Sequence, residues 1–242
     1  MVDSGADLVV ELRDVQKDYR GLRPLRIRHL QLRQGQTVAL VGFDAVAAEV
    51  LVNLITGASV PDAGDVFVFG RSTSALADSD AWLASLDRFG ILSARAVLLD
   101  ELTVEQNLAM PFTLELDPIP DTVRSDVQLL AGEAGLSASD LARPVAALAP
   151  LGRLRVRLAR AIALHPGILL AEHPNASVPS NDVSEFAADY RRVVARRGIA
   201  SLTLTADRAF ATAVAEQVFT LQPATGELKP LSSWRQRLSR LS

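Results

Sequence analysis

Apolar positions in this chain follow two rhythms. Short runs and period-two stretches, bounded by glycine, proline or polar residues, predict strands at Leu8 to Leu12, Leu25 to Leu32 and Val38 to Val41. Others are predicted within Pro61 to Gly70, at Phe89 to Ser93, Ile168 to Ala171, Ile199 to Thr205 and Val218 to Leu221. Gln34-Gly35-Gln36 reads as a turn that closes a meander ending on Val38. Helical spacing appears at Val50, Leu51, Leu54 and Ile55, with Gly57 as the stop, and again at Asp121 to Ala134 and Asp182 to Arg197, each ended by glycine. Trp82 to Arg88 is a short amphipathic segment. Thr103 with Gln106 three residues on predicts a capping box. Strands alternating with helices, split by a helical insertion, point to an α/β core with an antiparallel β arm and a helical lobe.

The strand at Val38 to Val41, a tight loop from Gly42, and the helix ending at Gly57 make the frame of a phosphate-binding P-loop. That loop needs G-x-x-x-x-G-K-[ST], in which backbone N–H groups cradle phosphates, lysine neutralises them and the hydroxyl holds magnesium. Counting from Gly42, the second glycine falls on Ala47, the lysine on Ala48 and the hydroxyl on Glu49, with Val50 next. The frame is present and its chemistry is missing. Glu49 adds an anion where phosphates would lie, and unit like charges ~4 Å apart repel by about 4 kcal/mol at an effective dielectric near 20.

Composition narrows the class. A chain of 242 residues with 49% hydrophobic content builds a sizeable core, and no apolar run approaches the ~20 residues of a membrane span. The polar N-terminus shows no signal-peptide pattern, and without cysteine there is neither a disulfide framework nor a thiolate metal site, so a cytoplasmic location is expected and no metal site is predicted. A formal charge of −3 argues against nucleic acid as a partner. Only Lys17 and Lys229 are lysines, both far along the chain from the loop after Gly42, so no shift of alignment supplies the missing cation.

From about Leu8 to Leu221 the chain resembles the nucleotide-binding subunit of ATP-binding cassette (ABC) transporters. The residues that carry the resemblance are the Val38–Gly57 frame, the turn and strand at Pro61 to Gly70, Leu98 to Leu108, the helix Arg153 to Ala163, and the buried strand after His165-Pro166-Gly167. The resemblance implies a P-loop NTPase core (residues 8–93 and 150–222, with the β arm), a helical subdomain (94–149) and a tail (223–242) in one domain. It implies ATP and magnesium as cofactors. It also implies a transmembrane subunit as partner, contacted through the segment around Leu98 to Asn107, and hence a place on the inner face of the membrane.

Position by position, the family's chemistry is degenerate. Tyr19 stands where an aromatic residue stacks on adenine; a half-exposed tyrosine at a strand end explains it equally. Ala94 stands for the glutamine at the end of its strand, and Ala206 for the histidine that contacts the γ-phosphate, with Asp207 retained after it. Glu172 keeps the metal-shell acid one methylene longer, and His173 replaces the catalytic glutamate. A neutral histidine can accept a proton; simple loss of the base is the alternative that four neighbouring losses favour. Leu148-Ala149-Pro150-Leu151-Gly152 occupies the place of the L-S-G-G-Q signature. Ala149 removes the serine hydroxyl and Pro150 an N–H, but a helix should still begin there. Arg153, Arg155, Arg157 and Arg160 read as a solvated, partly ion-paired helix face. Trp234, Leu238 and Leu241 share a face of a predicted tail helix, fit to pack on its own domain or to dock elsewhere.

Three functions remain in view: a non-hydrolysing ABC subunit with a structural or regulatory role, an active ABC ATPase with divergent motifs, and a soluble interaction protein on an ABC-like fold. The degenerate sites favour the first, with weak or absent ATP–magnesium binding. In the family, two subunits sandwich two ATP molecules, each between one P-loop and the other's signature. Such pairing implies a heterodimer of this chain with an intact ABC ATPase.

Overall fold

In the computed structural model, residues 8–75 and 79–231 are described. They form ten strands and eight α-helices, joined by short 3-10 turns. The first sheet is antiparallel, with strand order β2-β1-β4-β5: β1 (Leu8–Lys17), β2 (Leu25–Arg33), β4 (Ala63–Val68) and β5 (Arg71–Ser72). The second sheet has the order β10-β9-β3-β8-β7-β6. It comprises β3 (Thr37–Val41), β6 (Phe89–Ser93), β7 (Ile168–Glu172), β8 (Ala200–Thr205), β9 (Gln217–Gln222) and β10 (Glu227–Pro230). Its strands run parallel except β10, which returns antiparallel on β9 after the turn at Ala224-Thr225-Gly226.

The expected meander is corrected. β3 does not continue the β1–β2 ladder; it pairs with β8 and β9, and the Gln34–Gln36 turn carries the chain from one sheet into the other. The hydrophobic run of β3 is buried on both faces, which suits a central parallel strand rather than a meander edge. β1 also runs past Leu12 to Lys17, since its far half pairs with Leu25–Ile27 of β2.

Helix α1 (Ala45–Ile55) follows β3, and α2 (Ser79–Ser85) precedes β6. The helical lobe holds α3 (Val104–Ala109), α4 (Asp121–Glu133) and α5 (Ala138–Leu141). The capping box at Thr103 and Gln106 forms: the Thr103 hydroxyl accepts from the Gln106 N–H, and the Gln106 side chain accepts from the Thr103 N–H. α6 (Pro150–Ala161), α7 (Ser180–Arg197) and α8 (Arg208–Val214) complete the chain. α8 starts at Arg208 because Asp207 caps it, accepting from the Ala209 and Phe210 N–H groups at 2.9 and 3.0 Å. The predicted tail helix lies outside the described residues.

Two apolar clusters flank the second sheet. Ile168 and Leu170 of β7 face the cluster shared with α1 and the antiparallel sheet, while Leu169 and Ala171 face the cluster shared with α6, α7 and the helical lobe. This period-two division makes β7 the spine of the molecule. The carboxyl ends of β3, β6, β7 and β8 open on one rim, and the candidate residues gather there.

Candidate functional site at the strand ends

The loop after β3 is shorter than its sequence count suggests. Gly42 turns the chain at φ +100°, a conformation that glycine accepts freely. Three residues later, at Ala45, the helix begins. Asp44 is its N-cap: its carboxylate accepts the Ala47 N–H at 2.7 Å, and its carbonyl accepts the Ala48 N–H at 3.0 Å. These amides are the ones a cradled phosphate would need. Phe43, Ala47 and Ala48 are buried in the cluster beneath α1, Ala48 completely. Asp44 was not singled out by the sequence reading, although an Asp immediately before an apolar helix is an ordinary N-cap signal.

Glu49 and Glu172 converge on a residue the sequence reading passed over. Arg95 donates from Nη1 to Glu49 Oε1 at 2.8 Å, from Nη2 to Glu172 Oε1 at 2.5 Å, and from Nε to Glu172 Oε2 at 3.1 Å. Ser93 Oγ donates to Glu172 Oε2 at 2.9 Å. Glu172 is only 6% exposed. Its hydrogen bond holds the Arg95 guanidinium above its ordinary pKa, against the desolvation that pulls the other way. Ala94 is exposed beside this cluster and contributes no polar side-chain group.

At the ends of β7 and β8 the remaining positions do structural work. His173 sits at φ +42°, its N–H bonded to the Leu204 carbonyl, and its Nε2 is buried without a hydrogen-bond partner. That nitrogen is turned away from the solvent a base would act on. Ala206 is exposed. Asp207, besides capping α8, accepts from Asn175 Nδ2 at 2.9 Å and so ties the loop after β7 to the end of β8.

Tyr19 does meet the loop. It lines a pocket of about 510 Å³ with Gly42, Asp44, Val46, Ala47 and Arg23. Burial, and secondarily the Asp44 carboxylate, raise its phenol pKa. Gly21 folds against the ring so closely that a Cβ there would stand 2.6 Å from Tyr19 Cε2.

The signature-like residues stand apart: none lines the Tyr19 pocket. Ala149 is the N-cap of α6 and makes no side-chain capping bond, Pro150 is its first residue, and Leu148 and Leu151 are buried below, with Gly152 half-buried. The arginines of α6 are half-buried, ion-paired in part as expected, and tether neighbouring elements. Arg153 pairs with Asp100 at 2.6 Å, Arg155 with Asp189 and Glu185, and Arg157 and Arg160 donate to the Ala96 and Val97 carbonyls at 3.2 and 2.7 Å. Lys17 is bound to Asp62 at 2.8 Å. Among the described residues no group of three or more His, Cys, Asp or Glu gathers to hold a metal ion.

A family profile described as ABC transporter matches residues 25–176. The chain belongs to the ABC transporter family. It is 27% identical over 211 residues to the methionine import ATP-binding protein MetN of Mesorhizobium japonicum, a match covering 87% of this chain and 57% of that protein. It is 31% identical over 156 residues to the lipoprotein-releasing system ATP-binding protein LolD of Xylella fastidiosa, covering 64% of each. The chain thus spans a little over half the length of its methionine import relatives. Among solved structures, the dimeric bacterial ABC transporter cassette MJ0796 superposes with a TM-score of 0.74 at 20% identity, over 93% of this chain and 99% of that one. CbiO1 of Clostridium perfringens, part of the cbiONQ transporter complex, gives 0.76 at 17% identity, over 92% and 87%. These likenesses establish the ABC cassette fold.

Proposed function

We propose that this chain is a non-hydrolysing ABC subunit, a structural or regulatory partner within a transporter. The observation that carries this reading is the Asp44 carboxylate on the Ala47 N–H. A magnesium triphosphate needs free loop amides, a lysine, a hydroxyl and an acid available to the metal shell. Here the Ala47 and Ala48 amides are taken from within, Ala48 and Glu49 stand at the lysine and hydroxyl positions, and the buried acid Glu172 is held by Arg95. These residues do not fit that ligand, and no catalytic step is assigned to them. Tyr19 remains able to stack on a base, so feeble nucleotide binding is consistent with the reading.

The partner side rests on the cleft between core and helical lobe. It holds about 260 Å³, is lined by Ile91, Leu98, Pro111 and Leu164 among others, and has Val97 and Leu99 exposed nearby. Such a surface suits the transmembrane subunit that the family contacts through this region, and so a peripheral place on the inner face of the membrane. In a homodimer, a closed loop would face a hydroxyl-free signature at both sites. Beside an intact ABC ATPase, one site would combine that partner's P-loop with the α6 terminus of this chain, and cycling would run on that site alone.

Calorimetric titration with ATP–magnesium tests the first half. We expect no micromolar binding, no ATPase rate above a blank, and an identical blank for His173→Ala. A wild-type rate that disappears in His173→Ala would establish an active enzyme instead. Co-expression with neighbouring genes tests the second half: recovery with an intact cassette or a transmembrane subunit is the expected result. Recovery only as a lone monomer would favour a soluble interaction protein.

A further inference from the structure

Between the buried residues Ser93 and Leu98 the chain passes through Ala94, Arg95, Ala96 and Val97, and none of these side chains is buried; Val97 is 71% exposed. This strap leads from β6 into the helical lobe, yet no apolar anchor of its own fixes it. Polar contacts from three elements hold it instead. From α6, Arg157 and Arg160 grip the Ala96 and Val97 carbonyls. From β7, Glu172 takes Arg95 through two nitrogens. From α1, Glu49 takes the third nitrogen. Ser93 completes the cradle, donating to Glu172 and accepting the Arg95 backbone N–H at 3.2 Å.

We infer that Ser93, Glu172 and Glu49 form a guanidinium-binding site whose resident ligand is the chain's own Arg95, and that its occupancy holds the strap into the helical lobe fixed without nucleotide. All three guanidinium nitrogens are used, two of them side by side on one carboxylate. That fork geometry is what distinguishes a guanidinium from an ammonium, which presents a compact point charge. The buried position of Glu172 makes the cation necessary, because a carboxylate out of water needs a paired charge and filled lone pairs. The inference concerns the resting chain and does not depend on whether the subunit hydrolyses ATP.

Amide hydrogen exchange on the full chain, without nucleotide, tests it. In Arg95→Ala the amides of residues 95–97 should exchange about tenfold or more faster than in wild type. Guanidinium chloride at about 10 mM, far below the molar range that unfolds domains, should slow them again in the variant and leave wild type unchanged. Arg95→Lys should recover only part of the protection, and Glu49→Gln should lose less than Arg95→Ala because the Glu172 fork remains. Unchanged exchange in Arg95→Ala overturns the clamp. Loosening that guanidinium fails to reverse, or a lysine variant indistinguishable from wild type, overturns the guanidinium site. If Arg95→Ala does not fold, the lysine and Glu49→Gln variants carry the test, and equal protection in both and in wild type refutes it.

Discussion

Replacing Ala48 by Lys and Glu49 by Ser returns to the loop the cation and hydroxyl that it lacks. We expect this double variant still not to bind ATP–magnesium at micromolar concentration, because α1 begins too early. A phosphate cradle requires the first turn of α1 to open, breaking the Ala47 bond to the Asp44 carboxylate and the Ala48 bond to the Asp44 carbonyl. At about 0.5–1.5 kcal/mol net each, opening costs about 1–3 kcal/mol. That lowers apparent affinity about 5- to 150-fold for any ligand that needs the open loop. The freed Asp44 carboxylate then faces the phosphates, a repulsion of up to about 4 kcal/mol at ~4 Å before its exposure to solvent screens it.

The lysine also has little room. Ala48 is fully buried among Leu51, Val52 and their neighbours, and overfilling a packed site costs about 1–3 kcal/mol. For a chain of this size that lowers Tm by about 2–12 °C. Calorimetry and thermal denaturation of the same preparations read both effects. Adding Asp44→Gly, which removes cap and anion together, should raise affinity about tenfold or more over the double variant. A double variant that binds ATP–magnesium at micromolar concentration with an unchanged Tm would refute the reasoning, since the early first turn of α1 would then be no barrier.

Other consequences concern stability. Phe186 is fully buried against Tyr190 and Phe210, with ring centroids 6.2 and 6.0 Å away, so Phe186→Ala should cost about 3–5 kcal/mol. Thermal denaturation should then show a Tm lower by about 6–20 °C. A loss under 1 °C would mean that α7 and α8 pack independently of this ring. The Glu11 carboxyl lies below its ordinary pKa, chiefly through its hydrogen bond from Arg13, with burial opposing and Gln31 assisting. A depressed folded pKa gives stability that is complete above the unfolded glutamate value of about 4.3 and drains away as pH falls through the folded value. Urea midpoints measured from neutral pH down to about 3 should therefore fall less steeply in Glu11→Gln than in wild type, and parallel curves would contradict this assignment.

Periodicity made the strand–loop–helix frame at Val38–Gly57 legible and residue types the Thr103 capping box, each a local property of a few neighbouring residues, while the family resemblance supplied the start of α6 at Pro150. The sheet membership of β3 was not local: hydrophobic spacing marks a strand as buried but does not name its neighbours. Asp44 was readable in principle as an N-cap, but a count taken from Gly42 against an open loop hid it. Arg95 was not readable at all. Its partners lie 46 and 77 residues away in the chain, and only the parallel pairing of β6 on β7 and the packing of α1 bring them together. Among the candidate positions, the structure brings Tyr19, Gly42 and Ala47 into one pocket and joins Glu49 to Glu172 through Arg95, while His173 and the residues from Leu148 to Gly152 go to other contacts.

The acids at the strand ends share one cation. Glu172 is buried at the end of β7, where a lone carboxylate costs several kcal/mol unless a cation answers it. In this chain Ala48 offers no cation, and Glu49 adds a second acid. Arg95 answers both, one guanidinium against two carboxylates, and Asp44 satisfies a helix-terminal amide that would otherwise look for an anion. Glu172 and the Ala47 amide thus find their partners within the chain. Loss of Arg95 would therefore take the shared cation from Glu49 and Glu172 at once.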